Sequence, residues 1–93
     1  MNLYAVEYSY VTDAAALDEH RPAHREFLRA LLPTPLVVAG AYQEADSPGA
    51  LLLVRADSDA EVEQLLDEDP FWQRKLITHR RVRLWNPGIG TVQ

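Results

Sequence analysis

The sequence predicts an α+β fold, a four-stranded antiparallel sheet carrying two main helices on one face. Three features of its 93 residues point there. The first ten residues alternate as a strand does. Helix-prone segments with capping residues follow that strand and return after Ser58. Between them, two aliphatic segments are joined by a cluster of turn formers, which reads as a hairpin.

Leu3 to Tyr10 is strand one. Tyr4, Val6, Tyr8 and Tyr10 fall on one face, and Leu3, Ala5, Glu7 and Ser9 on the other, because side chains alternate along a strand. Asp13 is a helix cap. Ala14 to Leu32 is helix-prone but contains Pro22. Proline is tolerated at the first helical position, where its missing N–H has no partner. The expectation is therefore a short leading turn and a main helix from about Pro22. Phe27, Leu28 and Leu31 form its apolar stripe, with His24 on the same face. Pro33 and Pro35 stop it.

Leu36 to Gln43 is strand two, Asp46-Ser47-Pro48-Gly49 a turn, and Ala50 to Ala56 strand three. Ser58 and Glu61 make a capping box that opens the second helix, whose buried side is Val62, Leu65 and Leu66. Asp69-Pro70 restarts a short turn, with Asp69 as cap and Pro70 at the first helical position. Thr78 to Asn86 is strand four. Val82 and Leu84 share one face of it, and His79, Arg81, Arg83 and Trp85 the other. The order βαββαβ is the ferredoxin-like, split βαβ sandwich, here one domain over residues 1–93. Both helices then cover one sheet face. The other face is expected to present Tyr4, Tyr8 and Trp85, and a bare apolar face predicts a homodimer.

Composition narrows the function. The net charge of −5 argues against nucleic acid and anionic membrane as partners. No apolar run approaches the ~20 residues of a membrane span. Residues 1–10 carry Glu7 and no basic flank, unlike a signal peptide. With no cysteine, disulfides and thiol catalysis are excluded, and a cytoplasmic protein is expected.

Several patterns carry little chemistry. Gly88-Ile89-Gly90 opens no helix and is no dinucleotide loop. His20 and His24 are four apart, but Pro22 is expected to leave His20 outside the regular helix, and no third ligand lies near. No metal is expected. The basic run His79-Arg80-Arg81-Val82-Arg83 lacks the stacking aromatics of an RNA-binding sheet. Glu44, Asp46, Asp57, Asp59, Glu61 and Glu63 read as solvated charge and caps. His24 is richer. It sits in a helix beside Phe27 and Leu28, and histidine exchanges protons near neutral pH. Asp69 is a candidate to orient it. From the residues alone, His24 is also compatible with a core histidine, and Asp69 with a simple cap.

Arg21-Pro22-Ala23-His24, the hairpin around Ala39-Gly40, Asp69-Pro70-Phe71 and the closing Trp85-Asn86-Pro87 resemble, in order and over nearly the whole chain, the YCII-related (YciI-like) family. One departure is Ala41 after Gly40, where the family often has Gly-Pro. The resemblance implies a dimeric α+β barrel and places His24 and Asp69 at the family's His-Asp site, with Arg21 a basic residue beside it. Phe71 and Gly40 are then expected at the rim of the pocket. It implies a cofactor-independent enzyme of isomerase, lyase or dehydrochlorinase type acting on a small molecule. The competing reading is a non-catalytic dimeric module that binds a ligand or a partner.

Overall fold

The computed structural model describes residues 1–43 and 46–92. Its elements are β1 (Asn2–Tyr10), α1 (Ala14–Ala30), β2 (Leu36–Ala41), β3 (Gly49–Ala56), α2 (Asp59–Leu66), α3 (Pro70–Gln73) and β4 (Ile77–Leu84). The sheet order is β2-β3-β1-β4, and every neighbouring pair is antiparallel. This is the expected ferredoxin-like α+β sandwich. Glu44, one of the acids read as solvated, lies outside the described residues.

The core lies between the helices and one sheet face. Tyr4, Val6 and Tyr8 enter it from β1, and Ala50, Leu52, Val54 and Ala56 from β3. Leu17 and Leu28 of α1, Val62 and Leu66 of α2, and Phe71 of α3 close it from the other side. Val6, Leu52, Val54, Val62 and Leu66 are wholly buried, and each such side chain contributes about 1.5–3 kcal/mol by leaving water.

Two expectations are corrected. Tyr4 and Tyr8 do not lie on the open face; they are 6% and 2% exposed, under the helices. Val6 lies between them on the same side of the pleat and is buried as well, so the phenol rings fill the gap between sheet and helices. The open face instead carries Leu3 and Ala5, with Leu51 and Leu53 of β3, Val38 of β2, and Trp85. Trp85 lies there as expected, 41% exposed.

The second correction concerns α1, which runs unbroken through Pro22. The Asp13 carboxylate accepts the Ala16 N–H at 3.2 Å, so the helix starts where that cap is. Leu17 is buried in the first turns and ties them to the core. Pro22 removes only the N–H that would meet the carbonyl of Asp18, and both residues sit on the solvent side. His20 is therefore inside the helix, contrary to expectation. The prolines after it do end α1, with Leu31 as its C-cap.

One glycine is required by packing. A Cβ on Gly49 would collide with the carbonyl oxygen of Tyr8. Close backbone approach is what a glycine in a strand permits, and here it seats the start of β3 against the end of β1.

Candidate active site

His24 lies on the inward stripe of α1, seven residues after Leu17 and four before Leu28, the helix's other buried residues. Asp69 comes from the same helical layer, between α2 and α3, where α3 packs against α1. It is 0% exposed. Asp69 is the cap of α3, and its Oδ1 accepts the Phe71 N–H at 2.9 Å. Pro70 then takes the first helical position, as the Asp-Pro pair predicts.

These elements bring the two residues together across 45 positions of sequence. His24 Nδ1 lies 2.8 Å from Asp69 Oδ1 and 2.9 Å from Oδ2. The Phe71 ring lies flat on the imidazole, with centroids 3.9 Å apart and planes 4° from parallel. Tyr10 meets both rings edge-on, at 5.4 Å from Phe71 and 6.4 Å from His24. The imidazole is thus held by a carboxylate, one ring face and one ring edge. A carboxylate only accepts hydrogen bonds, so Nδ1 carries the proton in this pair. Nε2 is left as the basic nitrogen when the ring is neutral.

His24 borders a cleft of about 260 Å³ between α1 and the β2–β3 side of the sheet. Arg21, Arg25 and Leu28 line it from α1, Ala39, Gly40 and Ala41 from β2, and Tyr10 and Phe71 complete it near the imidazole. A hollow of about 580 Å³ at the other end of the sheet is larger. Arg55 and the chain's amino terminus are its charged groups among the described residues, so it offers no acid–base pair.

All five residues singled out from the sequence converge here. His24, Asp69 and Phe71 are in contact, Gly40 is on the rim, and Arg21 lines the cleft with its guanidinium tied to Asp18. Sequence reasoning missed Tyr10 and Arg25. Arg25 had a readable signal, since it follows Arg21 by four residues on one helix face. Tyr10 had only its place at the end of β1. Burial, then the charge of Asp69, raises the Tyr10 phenol above its ordinary value, with Arg21 opposing. The same two causes raise Tyr8. Both phenols therefore stay protonated at neutral pH and can donate. His20 finds no metal-binding partners: among the described residues, no group of three histidine, aspartate or glutamate side chains could hold a metal ion. No described helix is long and apolar enough to cross a membrane.

Comparison with known proteins follows the same lines. The fold is similar to that of 5-chloro-2-hydroxyhydroquinone dehydrochlorinase from Burkholderia phenoliruptrix AC1100, solved in complex with 2,5-dihydroxybenzoquinone, with a TM-score of 0.77 and 21% identity over 90% of this chain and 93% of that one. At this identity the likeness speaks for the fold. No significant match occurs among curated proteins. The profile of the YCII-related domain matches residues 2–86. That span takes in all the strands and every residue of the cleft, and the chain belongs to the YCII-related domain family.

Proposed function

We propose that the protein is a cofactor-independent enzyme that moves a proton on a small oxygenated molecule, in the manner of an isomerase, a lyase or a dehydrochlorinase. The observation that carries this reading is the 2.8 Å contact between His24 Nδ1 and the buried Asp69 carboxylate, beside a cleft. Asp69 holds the tautomer in which Nε2 is a base and stabilises the imidazolium that forms when Nε2 takes a proton. In an isomerisation the imidazolium returns that proton to another atom of the same molecule. In an elimination the electron pair of the broken bond to hydrogen forms a new double bond. The leaving group departs with its own bonding pair, and the proton passes from His24 to solvent. The dehydrochlorination for which the structural neighbour is named is of this second kind. The family and the shared fold support an enzyme reading, and the dyad gives it a mechanism.

We also propose a homodimer that pairs the open sheet faces. Val38 at 50% exposure, Leu51 at 38% and Trp85 at 41% support it.

The test of the enzyme reading uses 5-chloro-2-hydroxyhydroquinone as substrate and chloride release as readout. The expected result is turnover that falls about 10²–10⁴-fold in His24→Ala, with circular dichroism and sedimentation unchanged. A variant that melts earlier while retaining its turnover would make His24 a core residue and remove the proposal. Binding of 2,5-dihydroxybenzoquinone without turnover of the chlorinated compound would favour the ligand-binding module.

A further inference from the structure

The charged groups of the cleft differ in what they are free to do. Arg21, the cation expected beside the site, is committed to Asp18 one turn earlier on α1. Arg25 lines the same cleft one turn later and makes no ion pair among the described residues. Arg29 continues the row, so three of the chain's nine cations stand four residues apart on one helix. The chain as a whole carries −5, so this row is a local reversal of sign along α1, and its first two members border the cleft. A solvated helix face accounts for Arg29, which is exposed in the last turn, where a cation suits the helix dipole. Arg25 is exposed as well, and it differs from Arg29 in bordering the cleft that holds His24.

Tyr10 supplies a second donor. It lines the cleft, and its hydroxyl makes no hydrogen bond among the described residues. Because its phenol is raised above the ordinary value, it offers a proton and not a negative charge. The negative group behind the cleft wall is the buried Asp69, already bonded to His24 and to the Phe71 N–H. An anion bound here is repelled by Asp69 and must lie towards Arg25. A cleft of about 260 Å³ falls just under the range of about 300–1,000 Å³ for sites of drug-sized ligands, which suits a molecule of one ring.

We propose, resting on the acid–base reading of this cleft, that its ligand is a one-ring molecule bearing an anionic oxygen on an sp² carbon, an ionised enol or a carboxylate, and that Arg25 and Tyr10 are the residues that recognise that oxygen. Arg25 supplies the charge and two parallel N–H donors, and Tyr10 supplies a neutral O–H. The anionic oxygen then lies at the Arg25 end of the cleft and the reacting atom beside His24 Nε2. Arg21, held by Asp18, shapes the mouth without being the anion's partner.

Calorimetric titration of the purified full chain tests this with three probes: 2,5-dihydroxybenzoquinone for the enol, benzoate for the carboxylate, and benzamide as the neutral isostere of benzoate. At least one anion is expected to bind about 10-fold or more tightly than benzamide, with a preference that shrinks as salt is added. Preference for the quinone alone assigns the enol, and for benzoate alone the carboxylate. Arg25→Gln should erase the preference, and Tyr10→Phe should weaken anion binding about 3–10-fold. Arg29→Gln, outside the cleft, should change none of the three. If wild type shows no preference for either anion, or Arg25→Gln keeps it, the inference is overturned. The acid–base reading has its own readout, because the fall in turnover expected in His24→Ala does not depend on whether Arg25 selects anions.

Discussion

Asp69 does several things with one buried carboxylate. It caps α3 through the Phe71 N–H, faces His24 Nδ1 with both oxygens, and sends its charge towards Tyr8 and Tyr10. Asp69→Asn separates the first duty from the second. Asparagine caps a helix as well as aspartate does, so the fold should survive. Its Oδ1, fixed by the Phe71 N–H, can still accept from Nδ1–H, but its amide N–H₂ cannot, and the negative charge that stabilises the imidazolium is gone. Turnover of the chlorinated hydroquinone should fall about 10²–10⁴-fold, with a far-UV spectrum like that of the wild type. Unchanged turnover would reduce Asp69 to a cap. Tyr8 makes a different case: its Oη is buried near the Arg80 guanidinium, yet neither it nor Arg80 Nη1 completes a hydrogen bond among the described residues. Removing an unpaired buried hydroxyl costs little, so Tyr8→Phe should change stability at neutral pH by less than about 0.5 kcal/mol, or raise it. Its pH dependence has a definite sign. Burial and the Asp69 charge raise the folded-state phenol above its unfolded value. The stability tied to it is then fully present below about pH 10, the unfolded value, and drains away as the pH climbs further. The loss is at most about 1.4 kcal/mol per pH unit for one group. Urea unfolding at a series of alkaline pH values should show this decline in the wild type and a shallower one in Tyr8→Phe; equal slopes would rule out Tyr8 as the source.

Among the elements, β1 and β3 depend on a contact that composition conceals. Gly49 faces the Tyr8 carbonyl so closely that any Cβ collides with it. Ser9 pairs with Gly49, and the next backbone bond, Tyr10 N–H to Pro48 O, is 2.9 Å long. Gly49→Ala must push the strands apart next to Tyr10 and the cleft. The expected cost is about 2 kcal/mol or more, a fall in melting temperature of about 4–8 °C for each kcal/mol in a domain of this size. A thermal melt within a degree or so of wild type would contradict the contact. Helix α1 shows how packing overrides a local rule. Proline in a helix interior costs about 3 kcal/mol in isolation. Here the Asp13 cap and buried Leu17 hold the turns before it, so the helix delivers His24 at the same depth as Leu28.

At the scale of the whole molecule, the bare sheet face asks for a partner. Leu3 and Leu53 are already buried there at 7% and 8% exposure, while Val38, Leu51 and Trp85 remain in water. Glu7 and Arg83, 3.5 Å apart, are the ion pair on this face among the described residues. If two copies pair through it, Leu51→Glu places a charge in the middle of the apolar contact. Sedimentation equilibrium at micromolar concentration should then show a dimer for the wild type and a monomer for the variant. A wild type that sediments as a compact monomer would refute the proposed dimer.

Much of this was legible in the chain because it is local. Alternation in β1, the Ser58 and Asp69 caps and the hairpin turn depend on neighbouring φ/ψ choices, and they located the elements in their order. The short run Asp69-Pro70-Phe71 encoded the cap that fixes the Asp69 carboxylate at the start of α3. What was not legible depends on distant residues. Either face of β1 has apolar side chains, so only the helices above Val6 decide that Tyr4 and Tyr8 turn inward. Pro22 looked like a start because its buried anchor, Leu17, matters only once the core exists. Arg21, read as the basic residue beside the site, does line the cleft, and Arg25 and Tyr10 became cleft residues only when α1 packed onto the sheet. Secondary structure follows from periodicity and capping within a few residues, whereas facing, pairing and the shape of a cleft follow from which surfaces exclude water together.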